Sequence, residues 1–367
     1  MPETVPAELR DLLTLRLLPG LGPRLTAALL HQFGSAAAVL HARPAEIQTV
    51  PHVGEKLANT ICQALTRIDV DKELTLMAHH DVRLLALGTT DYPSSLASIS
   101  DPPQLLFVRG TLLPADAKAI ALVGSRSCTA YGRRMAERLA KGLVQAGYTV
   151  VSGLARGIDG VAHRAALDAG GRTLAVLAGG LSKIYPPEHA DLARDVQASG
   201  ALITESEMAM EPMAGMFPAR NRIISGLSRA VVIVEAAERS GALITASHAA
   251  EQGRSVLAVP GPIDSPASGG TNALIRKGAI LVRGVEEIFE ELDGVRAAPS
   301  PPAPAPPPPS LDESQRRLWD FLADQPRHMD EMAQKLGLGV PALSGMLLTL
   351  EMKRIVRRLP GNRYERV

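Results

Sequence analysis

The sequence predicts an α/β fold centred on a mostly parallel sheet with helices on both faces. Three observations carry that expectation. From about Ala119 to Val282, short runs rich in β-branched residues alternate with helix-compatible stretches, the signature of successive strand–helix–strand units. Hydrophobic residues make up 46% of the chain and aromatics 3%, so the core must be filled by Ala, Leu, Val and Ile. The strand-like runs ending at Val123, Val151, Leu177 and Val259 each meet a glycine within two residues, which permits the tight turn from a strand into a helix.

The 367 residues are enough for two or three domains at about 100–200 residues each. Charges nearly cancel, with 39 Lys and Arg against 38 Asp and Glu. That balance excludes a polycation and an acidic tail but leaves room for a local basic groove. Cys62 and Cys128 form no CxxC pair, which argues against a disulfide framework and a structural zinc site. The N-terminus shows no basic-then-apolar signal pattern, and no run of 18 apolar residues occurs. A chain of the reducing, cytoplasmic compartment, with no membrane partner, is expected.

Residues 1–70 read as a small all-α domain. Its helical stretches are broken by Leu18-Pro19-Gly20-Leu21-Gly22-Pro23 and by Val50-Pro51-His52-Val53-Gly54, two similar breaks 32 residues apart that suggest a weak duplication. Residues 71–294 form the α/β core. Strands are expected at Val82–Ala86, Gln104–Val108, Ala119–Val123, Thr149–Val151, Thr173–Leu177, Ala201–Thr204, Ala230–Val234, Ser255–Val259 and Ala279–Val282. Helices are expected at Arg133–Ala146, Gly160–Ala169, Glu188–Ser199, Arg220–Ser228 and Leu243–Gln252. A linker covers 295–310: eight of the eleven residues from Pro299 to Pro309 are proline, which favours an extended polyproline spacer. Residues 311–367 form a last module.

In a parallel sheet the glycine-bearing turns emerge at one carboxyl edge, where open α/β sheets bind ligands. These are Gly124-Ser125-Arg126, Ser152-Gly153, Ala178-Gly179-Gly180 and Pro260-Gly261-Pro262. Together they suggest an anion-binding crevice, flanked in sequence by Arg126, Arg156, Lys183, Arg220, Arg222, Arg276 and Lys277. The dinucleotide signature is missing: the first turn is not GxGxxG, and the second strand runs into Ser152 rather than an acid. No GxxxxGK[ST] loop is present either. Backbone amides interleaved with Arg and Lys suit a chain of phosphates better than one pyrophosphate. Ser152, Asp159 and His163 invite a triad, but the preferred reading is that Asp159 caps the following helix and pairs with His163 one turn on. No catalytic or metal-binding residue is assigned.

Through these same residues the central region resembles the DNA-processing protein A family (DprA, also called Smf). The likeness runs through Val123-Gly124-Ser125-Arg126, Tyr131-Gly132, Ser152-Gly153-Leu154-Ala155-Arg156-Gly157-Ile158-Asp159 and Tyr185-Pro186. It continues through Phe217-Pro218-Ala219-Arg220-Asn221-Arg222, Val234-Glu235-Ala236, Ser240-Gly241-Ala242, Val259-Pro260-Gly261 and Gly270-Thr271-Asn272. It covers roughly residues 80–283. The resemblance implies an extended Rossmann-like fold that binds single-stranded DNA without catalysis and without a cofactor. It also implies loading of the RecA recombinase onto incoming strands in natural transformation, protection of that DNA, and a homodimer formed through the Rossmann-like domain.

The resemblance assigns the DNA-binding residues Gly124, Ser125, Arg126, Ser152, Gly153, Lys183, Arg220, Asn221 and Gly261. Where many relatives carry a basic residue before Arg220, this chain has Ala219. Phe217 reads either as a stacking surface for a base or as a core residue. A nucleotide-processing enzyme on the same fold is the competing class. Its relatives carry PGGxGT and a catalytic Glu, whereas here Pro260-Gly261 is followed by Pro262-Ile263-Asp264.

The N-terminal domain is SAM/helix–hairpin–helix-like, with Gly20-Leu21-Gly22 as the better turn and charges of six against six through residue 70. It reads as a DNA clamp or a structural domain. The last module has the element order of a winged helix. Its second motif helix, from Pro341, is nearly bare of polar groups, and its charges gather at Lys353, Arg354, Arg357, Arg358, Arg363 and Arg366. Backbone binding or a protein contact fits this better than base readout.

Overall fold

The computed structural model describes residues 5–65, 67–294, 311–322, 326–353 and 355–366. The Pro-rich linker at 295–310 and Arg354 lie outside them. The chain forms two compact units, Met1–Ala297 and Ala298–Val367.

Six helices open the first unit: α1 (Ala7–Leu17), α2 (Pro23–Phe33), α3 (Ala36–His41), α4 (Pro44–Ile47), α5 (Glu55–Leu65) and α6 (Val70–His79). Proline at the first position starts α2, where its missing N–H costs nothing. The two duplicated turns prove alike in backbone: Gly20 takes φ 83°, and His52, where the second copy lacks its glycine, takes φ 67°. The helices close over a core of their own that includes Leu15, Leu29, Val39, Val53 and Ile61.

The sheet that follows has nine strands: β1 (Val82–Ala86), β2 (Leu105–Gly110), β3 (Ala119–Gly124), β4 (Thr149–Ser152), β5 (Thr173–Val176), β6 (Ala201–Thr204), β7 (Ala230–Glu235), β8 (Ser255–Ala258) and β9 (Ile280–Leu281). Their order is β1-β2-β6-β5-β4-β3-β7-β8-β9. β2 is antiparallel to both neighbours, and the pairings from β6 across to β9 are parallel. Between the strands lie α7 (Ser94–Ala97), α8 (Ala130–Gln145), α9 (Ile158–Asp168), α10 (Ala190–Ser199), α11 (Met216–Gly226), α12 (Ala242–Glu251) and α13 (Gly269–Arg276), and α14 (Val285–Asp293) follows β9.

Strand alternation divides the core. Ala119, Ala121 and Val123 of β3 pack with Ile223, Ile224 and Leu227 of α11 and Ala246 and Ala249 of α12. Ile120 and Leu122 face the other way, onto Leu139 and Leu143 of α8 and Ala162 and Ala166 of α9. The chain winds outward from β3 through β4 and β5 to β6, then crosses back to lay β7 on the far side of β3. Helices therefore leave the carboxyl ends of β3 and β7 toward opposite faces, which opens a crevice between those two ends.

The second unit contains α15 (Glu313–Phe321), β10 (Arg327–His328), α16 (Met329–Leu336), α17 (Val340–Met352), β11 (Val356–Leu359) and β12 (Arg363–Arg366), with sheet order β10-β12-β11. This is a winged helix. Gly361 and Asn362, both at positive φ, turn the wing. Leu318, Met332, Leu343, Leu347 and Tyr364 form its core.

Candidate nucleic-acid interface

The crevice at the ends of β3 and β7 is an open groove of ≈ 670 Å³. Its floor is the turn after β3. Gly124 has no room for a side chain, since a Cβ would lie 2.7 Å from Ile158 and 2.8 Å from the Glu235 carbonyl. The Ser125 N–H donates to that same carbonyl at 2.7 Å, and the Ser125 hydroxyl accepts from the Ser127 N–H at 3.2 Å. This tight turn throws Arg126 outward into solvent, where its guanidinium lies 4.7 Å from the centroid of the Phe217 ring. Phe217 sits in the first turn of α11, which begins at Met216, four residues earlier than the sequence suggests. The ring is partly exposed and belongs to the groove, not to the core.

A narrower cleft continues the groove past the ends of β4 and β5. Arg126, Ala155, Phe217 and Arg220 line both spaces. Beyond them come Gly179, Gly180, Arg156, Lys183 and Tyr185. The Tyr185 ring lies 6.0 Å from Phe217 and is exposed. At the other end the groove reaches Arg239, Ser240 and Gly241 in the turn after β7. One continuous track thus presents four surface cations beside two aromatic rings.

Beneath the track lies a buried framework. Arg220 is 7% exposed. Its Nη1 donates to the Gly153 carbonyl at 2.7 Å and to the Val176 carbonyl, tying the ends of β4 and β5 together. Asp159 faces it and accepts from the N–H groups of Gly153 at 3.1 Å and Ala155 at 3.4 Å. Burial pushes the Asp159 carboxyl up, against the pull of the Arg220 charge. Burial likewise pushes the Arg220 guanidinium down to about 10, so it stays charged at neutral pH. Gly153 fits between them because a Cβ would lie 2.7 Å from both Arg220 Nη atoms and from Asp159 Oδ2. The Ser152 hydroxyl is fully buried and donates to the Leu122 carbonyl at 2.6 Å.

Several sequence expectations change accordingly. Ser152, Gly153 and Arg220 shape the floor, with the Ser152 hydroxyl, the Gly153 N–H and carbonyl, and Arg220 Nη1 engaged inside the fold. Asp159 does not pair with His163: Gly157 is the N-cap of α9, and the His163 Nδ1 lies 2.7 Å from the Thr173 hydroxyl. That hydroxyl gives its proton to the Val150 carbonyl, so Nδ1–H is the donor, and burial keeps the imidazole neutral. Gly261 does not border the groove. Its N–H and carbonyl exchange hydrogen bonds with the Asn272 amide at 3.2 and 3.1 Å, and Ser268 occupies the space a Cβ would need. Arg222 is buried between Asp101 and Glu205. Arg276 and Lys277 end α13, which runs back from the carboxyl edge, so they lie at the opposite edge of the sheet.

Gly124, Ser125, Arg126, Phe217 and Asn221 are brought together in the groove, and Lys183 joins them in the cleft, paired with Glu211 at 2.7 Å. Sequence reasoning missed Arg239 and gave Tyr185 no role. Arg239 has a signal, four residues beyond the end of β7 in a turn at the carboxyl edge.

The N-terminus of α8, where a dinucleotide fold would seat a pyrophosphate, is already taken. The buried Glu235 carboxylate accepts from the Thr129 N–H at 3.0 Å and from the Thr129 hydroxyl. Gly132 leaves it room, since a Cβ there would lie 2.6 Å from Glu235 Oε2. Among the described residues, no cluster of three His, Cys, Asp or Glu is placed to hold a metal. No described helix is long and apolar enough to cross a membrane.

Comparison with known proteins fits this architecture. The model of the DNA recombination-mediator protein A family matches residues 83–293. A SAM-like helix-hairpin-helix tandem matches 9–67, and the DprA winged helix domain matches 301–362. The chain is 41% identical over 300 residues to Protein Smf of Escherichia coli, covering 80% of each. The solved structure of DNA processing protein A from Streptococcus pneumoniae superposes with TM-score 0.69 at 32% identity, over 77% of this chain and 98% of that one. The structure of the Helicobacter pylori protein, described for its single-stranded DNA binding mode, superposes with TM-score 0.53 at 28% identity, over 59% of this chain and 98% of that one. With its central sheet and both flanking modules matched in order, the chain belongs to the DNA recombination-mediator protein A (DprA/Smf) family.

Proposed function

We propose that this chain binds single-stranded DNA along the track at the ends of β3 and β7, protects it, and loads the RecA recombinase onto it during natural transformation. The observation that carries the reading is a run of exposed cations beside one partly exposed and one exposed ring: Arg126 on Phe217, Tyr185 beside it, and Arg156, Lys183 and Arg239 along the same path. Cations track a phosphate chain, and aromatic faces stack on bases that are not already stacked in a duplex. Arg156 pairs with Glu188 and Lys183 with Glu211 on the open surface, where such pairs are weak and exchange readily for phosphate. The single-stranded DNA named for the Helicobacter pylori relative supports the same ligand.

The phosphate contacts fall to Arg126, Lys183, Arg156 and Arg239. Asn221 lines the same groove, and Gly124 and Ser125 set the turn that aims Arg126. Gly153, Ser152 and Arg220 hold the floor. Two copies pair through the Rossmann-like domain, and the protein acts as a mediator with no catalytic step of its own. The competing nucleotide-processing reading is disfavoured by Glu235, whose carboxylate fills the helix N-terminus that a pyrophosphate would need.

The test is a titration of labelled single-stranded and duplex oligonucleotides at several salt concentrations, beside RecA filament growth on the same strands. Tight, salt-dependent preference for single strands and faster filament growth are expected. Equal affinity for duplex, or no effect on filament growth, would sink the corresponding half of the reading.

A further inference from the structure

One wall of the narrower cleft is built from two chain segments laid against each other. The first is the turn after β5, with Gly179 and Gly180, leading on to Ser182 and Lys183. The second is a strap, Glu205 to Pro212, which leaves the end of β6 and reaches the cleft at Pro212. Their backbones touch. The Gly180 N–H donates to the Met210 carbonyl at 2.9 Å. The Met208 carbonyl accepts from the Ser182 N–H at 3.0 Å and from the Ser182 hydroxyl at 2.6 Å. A Cβ at Gly180 would run into the carbonyls of Glu207 and Met208. The strap therefore sets where Lys183 leaves the wall, and its own Glu211 is the ion-pair partner of that lysine.

Residues 205–215 lie outside helix and strand, so the strap keeps its course through such bonds and not through a ladder of its own. Two of its bonds come from behind, from the N-terminal helices. Glu73, in the first turn of α6, accepts the buried Met208 N–H at 2.6 Å. Arg16, in the last turn of α1, donates from Nε to the Glu205 carbonyl at 2.9 Å, and its Nη1 lies 3.7 Å from the Glu207 carboxylate. Leu13 of α1 and Val70 and Met77 of α6 share one apolar cluster with Leu181 and Met208. Neither Glu73 nor Arg16 lines the groove or the cleft.

We propose that Glu73 and Arg16 are positioning residues for single-strand binding, which rests on the single-strand reading above. They hold the strap, the strap holds the cleft wall, and the wall presents Lys183 to a phosphate. The N-terminal domain thus acts on the strand from behind, through the core, by a route that needs no contact with DNA. Charge alone predicts the opposite sign for Glu73. Deleting a carboxylate near a phosphate path strengthens binding, whereas losing its hold on Met208 weakens it.

The test uses the full chain and a labelled oligo(dT) of about 20 nucleotides, titrated at several salt concentrations with urea unfolding alongside. Glu73→Ala is expected to weaken binding about threefold to tenfold, the loss of roughly one phosphate contact. Glu73→Gln, whose amide oxygen accepts the same N–H, should bind like the wild type. Asp71→Ala removes an exposed carboxylate from the same helix turn and should not weaken binding. The distinguishing readout is a double-mutant cycle. In Lys183→Ala the further change Glu73→Ala should lose little more, whereas in Arg126→Ala it should lose its full factor. The same cycle with Arg16→Met decides the matter if Glu73→Ala does not fold. An equal loss in both backgrounds would mean a general loosening of the fold and would overturn the proposal. Undiminished affinity in either folded variant would overturn it too, with the groove reading intact. If Arg126→Ala and Lys183→Ala themselves bind like the wild type, the single-strand reading fails and takes this one with it.

Discussion

Arg126 and Arg220 line the same groove, yet one lies in solvent across a phenylalanine ring and the other is buried beneath it, holding two strand ends together. Their sequence contexts are equally rich in family motifs. The difference is the element that carries them. Arg126 leaves a turn whose own hydrogen bonds are closed by Ser125 and Glu235, so its side chain has nowhere to go but out. Arg220 sits on the inner face of α11, against carbonyls left unpaired at the ends of β4 and β5. The comparison teaches that a basic residue beside a glycine turn becomes a ligand contact only if the turn does not need the charge itself.

The largest effect should come from Arg220→Met. It leaves Asp159 buried without its cation and is expected to cost about 3–5 kcal/mol in urea unfolding, with part recovered by adding Asp159→Asn. If Arg220→Met unfolds like the wild type, the two arginines are not different in kind. Next comes His163, whose imidazole burial pushes down to about 3. Between about 6.5 and 3 the unfolded chain binds a proton that the folded chain does not. Stability should therefore fall as pH drops through that window, by up to about 1.4 kcal/mol per pH unit. His163→Gln should show a shallower pH dependence in the same unfolding measurement; an unchanged slope would refute the assignment.

Gly261→Ala sharpens the comparison from the other side. The added methyl meets Ser268, so a loss of about 1–3 kcal/mol is expected from overpacking, with single-strand affinity unchanged. Arg126→Ala is the smallest in stability, within about 0.5 kcal/mol. It should nevertheless weaken single-strand binding about tenfold and lower the salt slope by roughly one counterion. A loss of binding in Gly261→Ala with none in Arg126→Ala would invert the reading of the two turns.

The sheet was legible because each parallel strand must be apolar on both faces. Ala119–Val123, Ala201–Thr204 and Ala230–Val234 stand out as short continuous runs rich in β-branched and aliphatic residues. Residue types at the carboxyl edge were legible as well, since tight turns need Gly124 and Gly153 whatever they bind. What the sequence hides is where a polar group spends its hydrogen bonds. Ser152, Arg220 and Arg222 look available in one dimension, and their partners Leu122, Val176 and Glu205 lie 30, 44 and 17 residues away. Asp159 and His163 illustrate the reverse. Their spacing suits a helical pair, but the framework turns the carboxylate back to the Gly153 amide and the imidazole onto Thr173.

In the proposed reading, the guanidinium resting on Phe217 makes ligand entry an exchange rather than an addition. For a base to lie on that ring, Arg126 must swing aside, and the nearest place for its charge is the phosphate of the nucleotide displacing it. One movement unveils the stacking face and releases the cation, so each contact lowers the cost of the other. A lone phosphate leaves the ring uncovered, and a lone base leaves the charge without a mate. A polymer that supplies both at the right spacing gains from the swing twice over.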